Sequence, residues 1–435
     1  MLLTYIFGDG KIKKKQRGGI MSISMVAEHA RWPKENDAIF GLAARAKEAI
    51  DKYGRENVID STLGALVDDE GNLICLETVY NELKSLPNAA IAAYAQVAGQ
   101  PDYLEAVQQA CFGRYKPDAH IRAVATPGGT GSVRHGIVNY SNPGDSILIA
   151  DWFWSPYVTI SEEYGITVTT FELFNDKNQF NIADFKEKFE DLIKKQKRLV
   201  TVLNTPANNP TGYSLSDEEW DEVLNIAKEN AKDPENKIII VVDCAYIDYA
   251  GVGDERRKFF SKFSNLPDNI FVIIAYSMSK GYTMYGMRSG AAIGISSNED
   301  IVEEFYYSCM HANRANWSNG TRAAMEVMIR IAKDPEKTKA YENEVKETKT
   351  MLRKRAEAFV EASKEVGLEI LPYRDGFFVS IPYENAKKAS EELTKENMFV
   401  VALKKGLRFA VCAVSEEKCK TAPAIIKKVL DRIDT

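Results

Sequence analysis

Lys280 is the residue with the most chemistry to offer. It lies in SMSKGYTMYGMRSG, with Ser277 and Ser279 beside it and Arg288 eight positions on. A lysine held among cations and away from water has a lowered pKa, and its free amine attacks carbonyls. Asp243 closes the apolar run KIIIVVD, and Tyr246 follows three residues later. A carboxylate in that place is costly to bury without a cation or N–H partner. Gly128, Gly129, Thr130, Gly131 and Ser132 follow RAVATP and precede a helical stretch, a plausible phosphate cup of free amides at a positive dipole end. It is neither a Walker loop, since no Gly-Lys-Ser/Thr follows, nor G-x-G-x-x-G, since position 134 is arginine. Trp152 and Trp154 follow SILIA and offer a stacking face. Asn209 precedes Pro210-Thr211-Gly212, a rigid turn that can fix an amide.

Each of these has an ordinary use as well: a tight turn, a core indole, an Asn-Pro turn, a helix cap or internal ion pair, a solvated lysine. Together they match the needs of one kind of molecule, a phosphorylated pyridine aldehyde. Its phosphate needs N–H donors, hydroxyls and an arginine. Its ring needs a stacking face, its nitrogen an anion, its phenolic oxygen donors, and its aldehyde an amine.

The elements that must position these residues are readable from periodicity. Short apolar strands are expected at RAVATP, SILIA, TVTTFEL, LVTVLN, KIIIVVD and NIFVIIAYS, with helices between them. One such helix starts at a capping box, Ser216 with Glu219. Alternating strands and helices predict an α/β fold, a mostly parallel sheet with both faces covered and ligands beyond the strands' carboxyl ends. A helix is also expected from about residue 34 to Gly54, then an extended segment, VIDSTLGALVDDEG. The stretch PEKTKAYENEVKETKTMLRKRAEAFVEASKEVG predicts one helix of roughly thirty residues, ~45 Å long, able to link two lobes. LEILPY, GFFVSIPY, NMFVVAL and LRFAVCAV then predict short strands, and APAIIKKVLDRI a last helix, together a small α+β lobe.

Composition excludes several classes. The 435 residues are 45% hydrophobic and 27% charged, ordinary for a folded chain of two or three domains. A net charge of −6 argues against a nucleic-acid partner. The longest apolar runs fall far short of the ~20 residues that span a bilayer, so no membrane partner is expected. Six cysteines without a C-x-x-C pair read as free thiols in a reducing, cytoplasmic setting. Four dispersed histidines make a histidine-based metal site implausible, and no metal is expected. KIKKKQR at 11–17 has no apolar core behind it and is not a secretory signal. It reads as a disordered tail, with Met21 or Met25 as alternative start sites, or as a transit peptide.

From Gly64 to Arg408, about four-fifths of the chain, the order of these motifs resembles the fold-type I pyridoxal-phosphate aminotransferases, in particular the aspartate/aromatic subgroup of class I. The resemblance implies a three-layer α/β/α large domain and a smaller α+β domain: 1–24 a tail, 25–74 a segment joining the small domain, 75–345 the large domain, 346–435 the rest of the small domain. It implies pyridoxal 5'-phosphate as cofactor, with Lys280 as Schiff-base lysine and proton shuttle. Asp243 would pair with the pyridinium nitrogen, Tyr246 and Asn209 would bond the ring oxygen, and Trp154 would stack on the ring. Gly129, Thr130, Ser277 and Arg288 would hold the phosphate. Tyr94, in YAQVAGQPDYLEAV, would reach the phosphate of a neighbouring subunit, which implies a homodimer with shared sites. Arg408, in GLRFAV, would grip the substrate α-carboxylate, and Gly64 would contact substrate. Trp154 and Asn209 would also touch it. Arg314, in NRANWSN, would bind a distal carboxylate from the neighbouring subunit, where a guanidinium fork suits a carboxylate.

The implied reaction is ping-pong exchange of an amino group between an L-amino acid (aspartate, glutamate or aromatic) and a 2-oxo acid. The alternatives are another fold-type I reaction, such as C–S or other β-elimination, decarboxylation or cyclopropane synthesis, or a non-catalytic regulator that binds the same cofactor. The regulator needs an attached module, and some twenty basic residues are too few for a helix-turn-helix. The sequence departs from the subgroup at Tyr157, where a histidine is usual, at Met278, usually aromatic, at Asn319-Gly320-Thr321, usually Asn-Pro-Pro, and at Gly128, often serine.

Overall fold

A computed structural model describes residues 25–27, 30–32 and 38–435. The tail at 1–24 lies outside the described residues. In chain order the strands are β1 (Ile59–Ser61), β2 (His120–Thr126), β3 (Ser146–Ala150), β4 (Thr167–Phe171), β5 (Arg198–Asn204), β6 (Lys237–Asp243), β7 (Ile270–Ser277), β8 (Gly290–Ser296), β9 (Phe378–Pro382), β10 (Met398–Ala402) and β11 (Gly406–Ala410).

Seven of them form the large sheet, in the order β2-β8-β7-β6-β5-β3-β4. All six strands expected for it are present. β3, β4, β5, β6 and β7 run parallel. Every residue of β7, and all but the first of β5 and β6, is buried, as a sheet covered on both faces requires. Register brings the carboxyl ends level: Asn204 pairs with Asp243, and Asp243 with Ala275.

β8 was not expected. Its sequence, GAAIGIS, has little strand propensity, but it runs antiparallel between β2 and β7. Small residues are required there. A Cβ on Gly290 would lie 2.4 Å from the Tyr276 carbonyl oxygen, and one on Gly294 would strike Phe305 and Phe271. Gly290 pairs with Thr126 on one side and Ser277 on the other, so β8 sets the spacing between two segments that bear candidate site residues.

The second sheet has the order β1-β10-β11-β9. β1 pairs parallel with β10, which stitches residues 59–61 to the C-terminal part of the chain. Helix Ala38–Tyr53 packs there through Leu42, Ala46 and Ala49 against Val58, Phe399 and Val401. The expected strand LEILPY is instead irregular. Leu371 N–H makes one bond to Ser380 of β9 (2.9 Å), and Pro372 has no N–H to continue a ladder.

Helix Pro335–Glu365 has 31 residues, as its periodicity predicts, and Asp334 caps its first amides. Val345 belongs to the core of the large sheet, whereas Leu352, Ala356 and Phe359 belong to that of the small one. One rigid element therefore enters both cores. The capping box of Ser216 and Glu219 is formed (3.1 and 2.8 Å) at helix Asp217–Asn230. The last helix, Glu416–Asp434, starts earlier than expected, after Ser415.

Candidate active site

Asp243, the last residue of β6, is buried at 6% exposure. One carboxylate oxygen accepts from the Tyr157 hydroxyl (2.6 Å) and the other from Ala245 N–H (3.2 Å). It forms no ion pair among the described residues. Burial holds its pKa above the usual carboxylate range, while the bonds from Tyr157 and Ala245 pull the other way. Tyr157, on helix Pro156–Glu163, is itself buried, and burial together with the charge of Asp243 keeps its phenol protonated. Trp154 stands edge-on to Tyr157, centroids 5.5 Å apart. It is half-buried.

Lys280 follows β7 in the short helix Met278–Gly281. Its Nζ donates to the Gly64 carbonyl (2.7 Å) and lies 4.7 to 5.6 Å from the rings of Tyr285, Phe377 and Tyr246. Burial lowers its pKa to about 8. Arg408 and Arg288 push in the same direction, and Cys412 opposes them. An amine so placed is partly neutral near neutral pH and is a competent nucleophile and base.

Arg408, in β11, is buried at 6% exposure without a carboxylate partner among the described residues. It donates to the Thr62 carbonyl (2.8 Å) and to Asn209 Oδ1 (3.4 Å), and lies over the Phe378 ring (4.4 Å). Its Nε has no hydrogen-bond partner. A buried guanidinium with an orphaned donor leaves free energy to be gained from an incoming anion. Asn209 is held through its own N–H by Asn204 Oδ1 (2.6 Å). The Tyr246 hydroxyl lies beside Asn209 and Arg408; burial raises its pKa while Arg408 lowers it.

The cup opens helix Gly128–Val138. Gly128 has φ +68°, which favours glycine, and a Cβ there would lie 2.8 Å from Arg288 Nη2, so a side chain would have to displace the Arg288 head. Arg288 donates to Thr130 Oγ1 (3.4 Å), Ser279 Oγ (3.4 Å) and the Tyr285 carbonyl (2.9 Å). Ser277 Oγ accepts from Ser279 N–H (3.2 Å) and lies against Gly129.

One chain thus brings together Gly64, Gly129, Thr130, Asn209, Asp243, Tyr246, Ser277, Lys280, Arg288 and Arg408. Tyr94 and Arg314 stay outside this cluster. Tyr94 is 88% exposed, and Arg314 is exposed with a bond to Ser318 Oγ (2.6 Å). Residues that the sequence reading missed are Thr62, Phe377, Phe378, Cys412 and Tyr285, whose hydroxyl accepts from Leu66 N–H (2.9 Å). Only Tyr285, five positions beyond Lys280, carried a signal. The rest arrive from distant segments through folding.

A mostly parallel sheet that brings an amine of lowered pKa and, among the described residues, a buried carboxyl without a cationic partner to its strand ends is equipped for carbonyl chemistry. Residues 56–426 match aminotransferase class I and II, and the chain belongs to this family. It resembles the crystal structure of an aminotransferase from Anaerococcus prevotii, at 46% identity and a TM-score of 0.93 over 94% of this chain and 100% of that one. It is 23% identical to the aspartate aminotransferase of Haemophilus influenzae, over 91% of this chain and 98% of that one. The fold is also that of an aromatic-amino-acid aminotransferase from Burkholderia pseudomallei covalently bound to pyridoxal phosphate, with a TM-score of 0.74 at 21% identity, over 93% of this chain and 100% of that one. Among the described residues, no helix is long and apolar enough to cross a membrane.

Proposed function

We propose that this aminotransferase uses pyridoxal 5'-phosphate to exchange the amino group between a dicarboxylic or aromatic L-amino acid and a 2-oxo acid in two half-reactions. The observation that carries this reading is the convergence of an amine of lowered pKa, Lys280, with the Asp243 carboxylate and the Arg408 guanidinium, neither of which has an ion-pair partner among the described residues. The residues fit the cofactor. Asp243 is a buried carboxyl without a cationic partner among the described residues. Arg288 has no carboxylate partner among the described residues and faces free amides at Gly128 to Thr130. The Burkholderia enzyme of the same fold binds this group covalently.

When bound, the cofactor supplies an aldehyde and an electron-withdrawing ring conjugated to it. With the cofactor bound, Lys280 would hold it through its amine and, once free, would accept the proton of the substrate α-carbon on Nζ. Asp243 would keep a proton on the ring nitrogen. Tyr246 and Asn209 would orient the ring oxygen, and Trp154 would cover a ring face. Gly129, Thr130, Ser277 and Arg288 would anchor the phosphate. Arg408 binds the substrate α-carboxylate, and Gly64 borders it. In a homodimer, Tyr94 and Arg314 of each chain serve the site of its neighbour, in keeping with their exposure here.

A panel of amino donors with 2-oxoglutarate, run beside Arg314→Ala, tests this. The variant is expected to lower kcat/KM for aspartate on the order of 10²-fold, and for an aromatic donor by less than about threefold. Release of ammonia and a 2-oxo acid over many turnovers per site, without any acceptor, would instead show an eliminating enzyme.

Tyr157→Phe removes one donor from Asp243. Hydrogen bonds to charged groups contribute about 1.5–3 kcal/mol, so kcat/KM should fall about 10- to 100-fold. The loss should be accompanied by faster release of cofactor on dialysis, read from the absorbance of the filtrate. Unchanged retention and turnover would show that the bond to Tyr157 does not tune Asp243.

A further inference from the structure

Asn313 directly precedes Arg314 on helix Glu299–Asn316 and is completely buried. Its Nδ2 donates to two main-chain carbonyls, Val97 (2.8 Å) and Ala125 (3.0 Å). Carbonyls only accept, so this fixes which end of the amide is nitrogen. Oδ1 therefore faces His135, whose Nε2 lies 2.8 Å away and must donate. Burial lowers the His135 pKa to about 4, so the ring is neutral and its single N–H is committed to this bond.

The three partners come from three functional segments. His135 is on the helix that opens with the phosphate cup. Ala125 is in β2, three residues before Gly128. Val97 is three residues after Tyr94. Asn313 also shapes the end of its helix: its carbonyl accepts from Trp317 N–H (3.0 Å) and Ser318 N–H (2.8 Å), closing the last turn. Ser318, at φ +69°, then receives Arg314 Nη1. The helix end that carries Arg314 is thus referenced to the cup and to the Tyr94 segment through one side chain.

We propose that Asn313, held by His135, is a positioning residue that sets where Arg314 meets the distal carboxylate, and so sets the preference between dicarboxylic and aromatic donors. This rests on the proposed role of Arg314 in binding that carboxylate. A guanidinium fork is sensitive to misplacement, because displacements of about 1 Å cost up to about 10²-fold.

The test is a double-mutant cycle of Asn313→Ala and Arg314→Ala in the cofactor-loaded enzyme, with KM and kcat measured for aspartate and for an aromatic donor. Asn313→Ala is expected to raise KM for aspartate about tenfold and to leave KM for the aromatic donor within about twofold. In the Arg314→Ala background it should add almost nothing for aspartate, since coupled residues are non-additive. Equal losses for both donors, or full additivity, would overturn the proposal and leave Asn313 a merely structural amide. If Arg314→Ala itself fails to separate the two donors, the role of Arg314 falls and the proposal with it. If Asn313→Ala does not yield folded protein, His135→Phe replaces it, because both carbonyl bonds of Asn313 remain. The expected rise for aspartate is then about threefold, again without a change for the aromatic donor; no rise overturns the proposal.

Discussion

Lys280→Ala is expected to lose turnover by about 10²- to 10⁴-fold from the missing proton transfer alone, and further from the missing anchor for the cofactor. Its described neighbours are poor substitutes: the Gly64 carbonyl and Phe377 are not bases, and burial keeps the phenols of Tyr246 and Tyr285 and the thiol of Cys412 protonated. Steady-state assays and the visible absorbance of the purified protein give the two readouts, and both should fall together. The amine also sets a pH dependence. Its pKa of about 8 is below that of an ordinary lysine, so the neutral form grows as pH rises towards 8 and dominates above it. The rate at which cofactor-free enzyme recaptures added cofactor should rise over that range and level off beyond it. A flat profile would mean that the amine is not the group that titrates.

Asp243→Asn is expected to lower kcat about 10²- to 10³-fold, the range for removing one preorganised charge from a reacting centre. The amide keeps the size of the side chain; its one oxygen can still accept from Ala245 N–H, and its Nδ2 then donates to the Tyr157 hydroxyl, which turns to accept, so packing at the end of β6 survives. What is lost is the negative charge that, in the proposed role, would hold a proton on the ring nitrogen. The same asparagine variant should show an unchanged thermal transition when cofactor-free. An equally large drop in melting temperature would point to a structural carboxylate instead.

Much of the fold and site is legible in the sequence, and the exceptions have physical causes. Strands β5, β6 and β7 announce themselves because both faces are buried and their sequences are nearly continuous apolar runs. The residues at their ends, Asp243, Ser277 and Lys280, could be read off directly. β8 could not, since its small residues serve the close approach of Tyr276 and Phe305 rather than strand propensity. LEILPY has a strand's pattern, and Pro372 ends its ladder after one bond. The bond from Lys280 to Gly64 joins residues 216 positions apart, and Arg408 reaches Thr62 across 346. No local pattern encodes such meetings; the family resemblance placed Gly64 and Arg408, and nothing placed Thr62. Asn313 went unnoticed for a related reason, since an asparagine in a helical stretch shows its value only through the three segments it joins.

The most direct test of Lys280 as the cofactor's anchor is chemical. The purified protein is incubated with pyridoxal 5'-phosphate, reduced with borohydride, digested and mapped by mass spectrometry. One stable phosphopyridoxyl adduct is expected, on the peptide that contains Lys280. Protein that takes up no cofactor, or a label that settles on another lysine while Lys280 stays unmodified, would contradict that role.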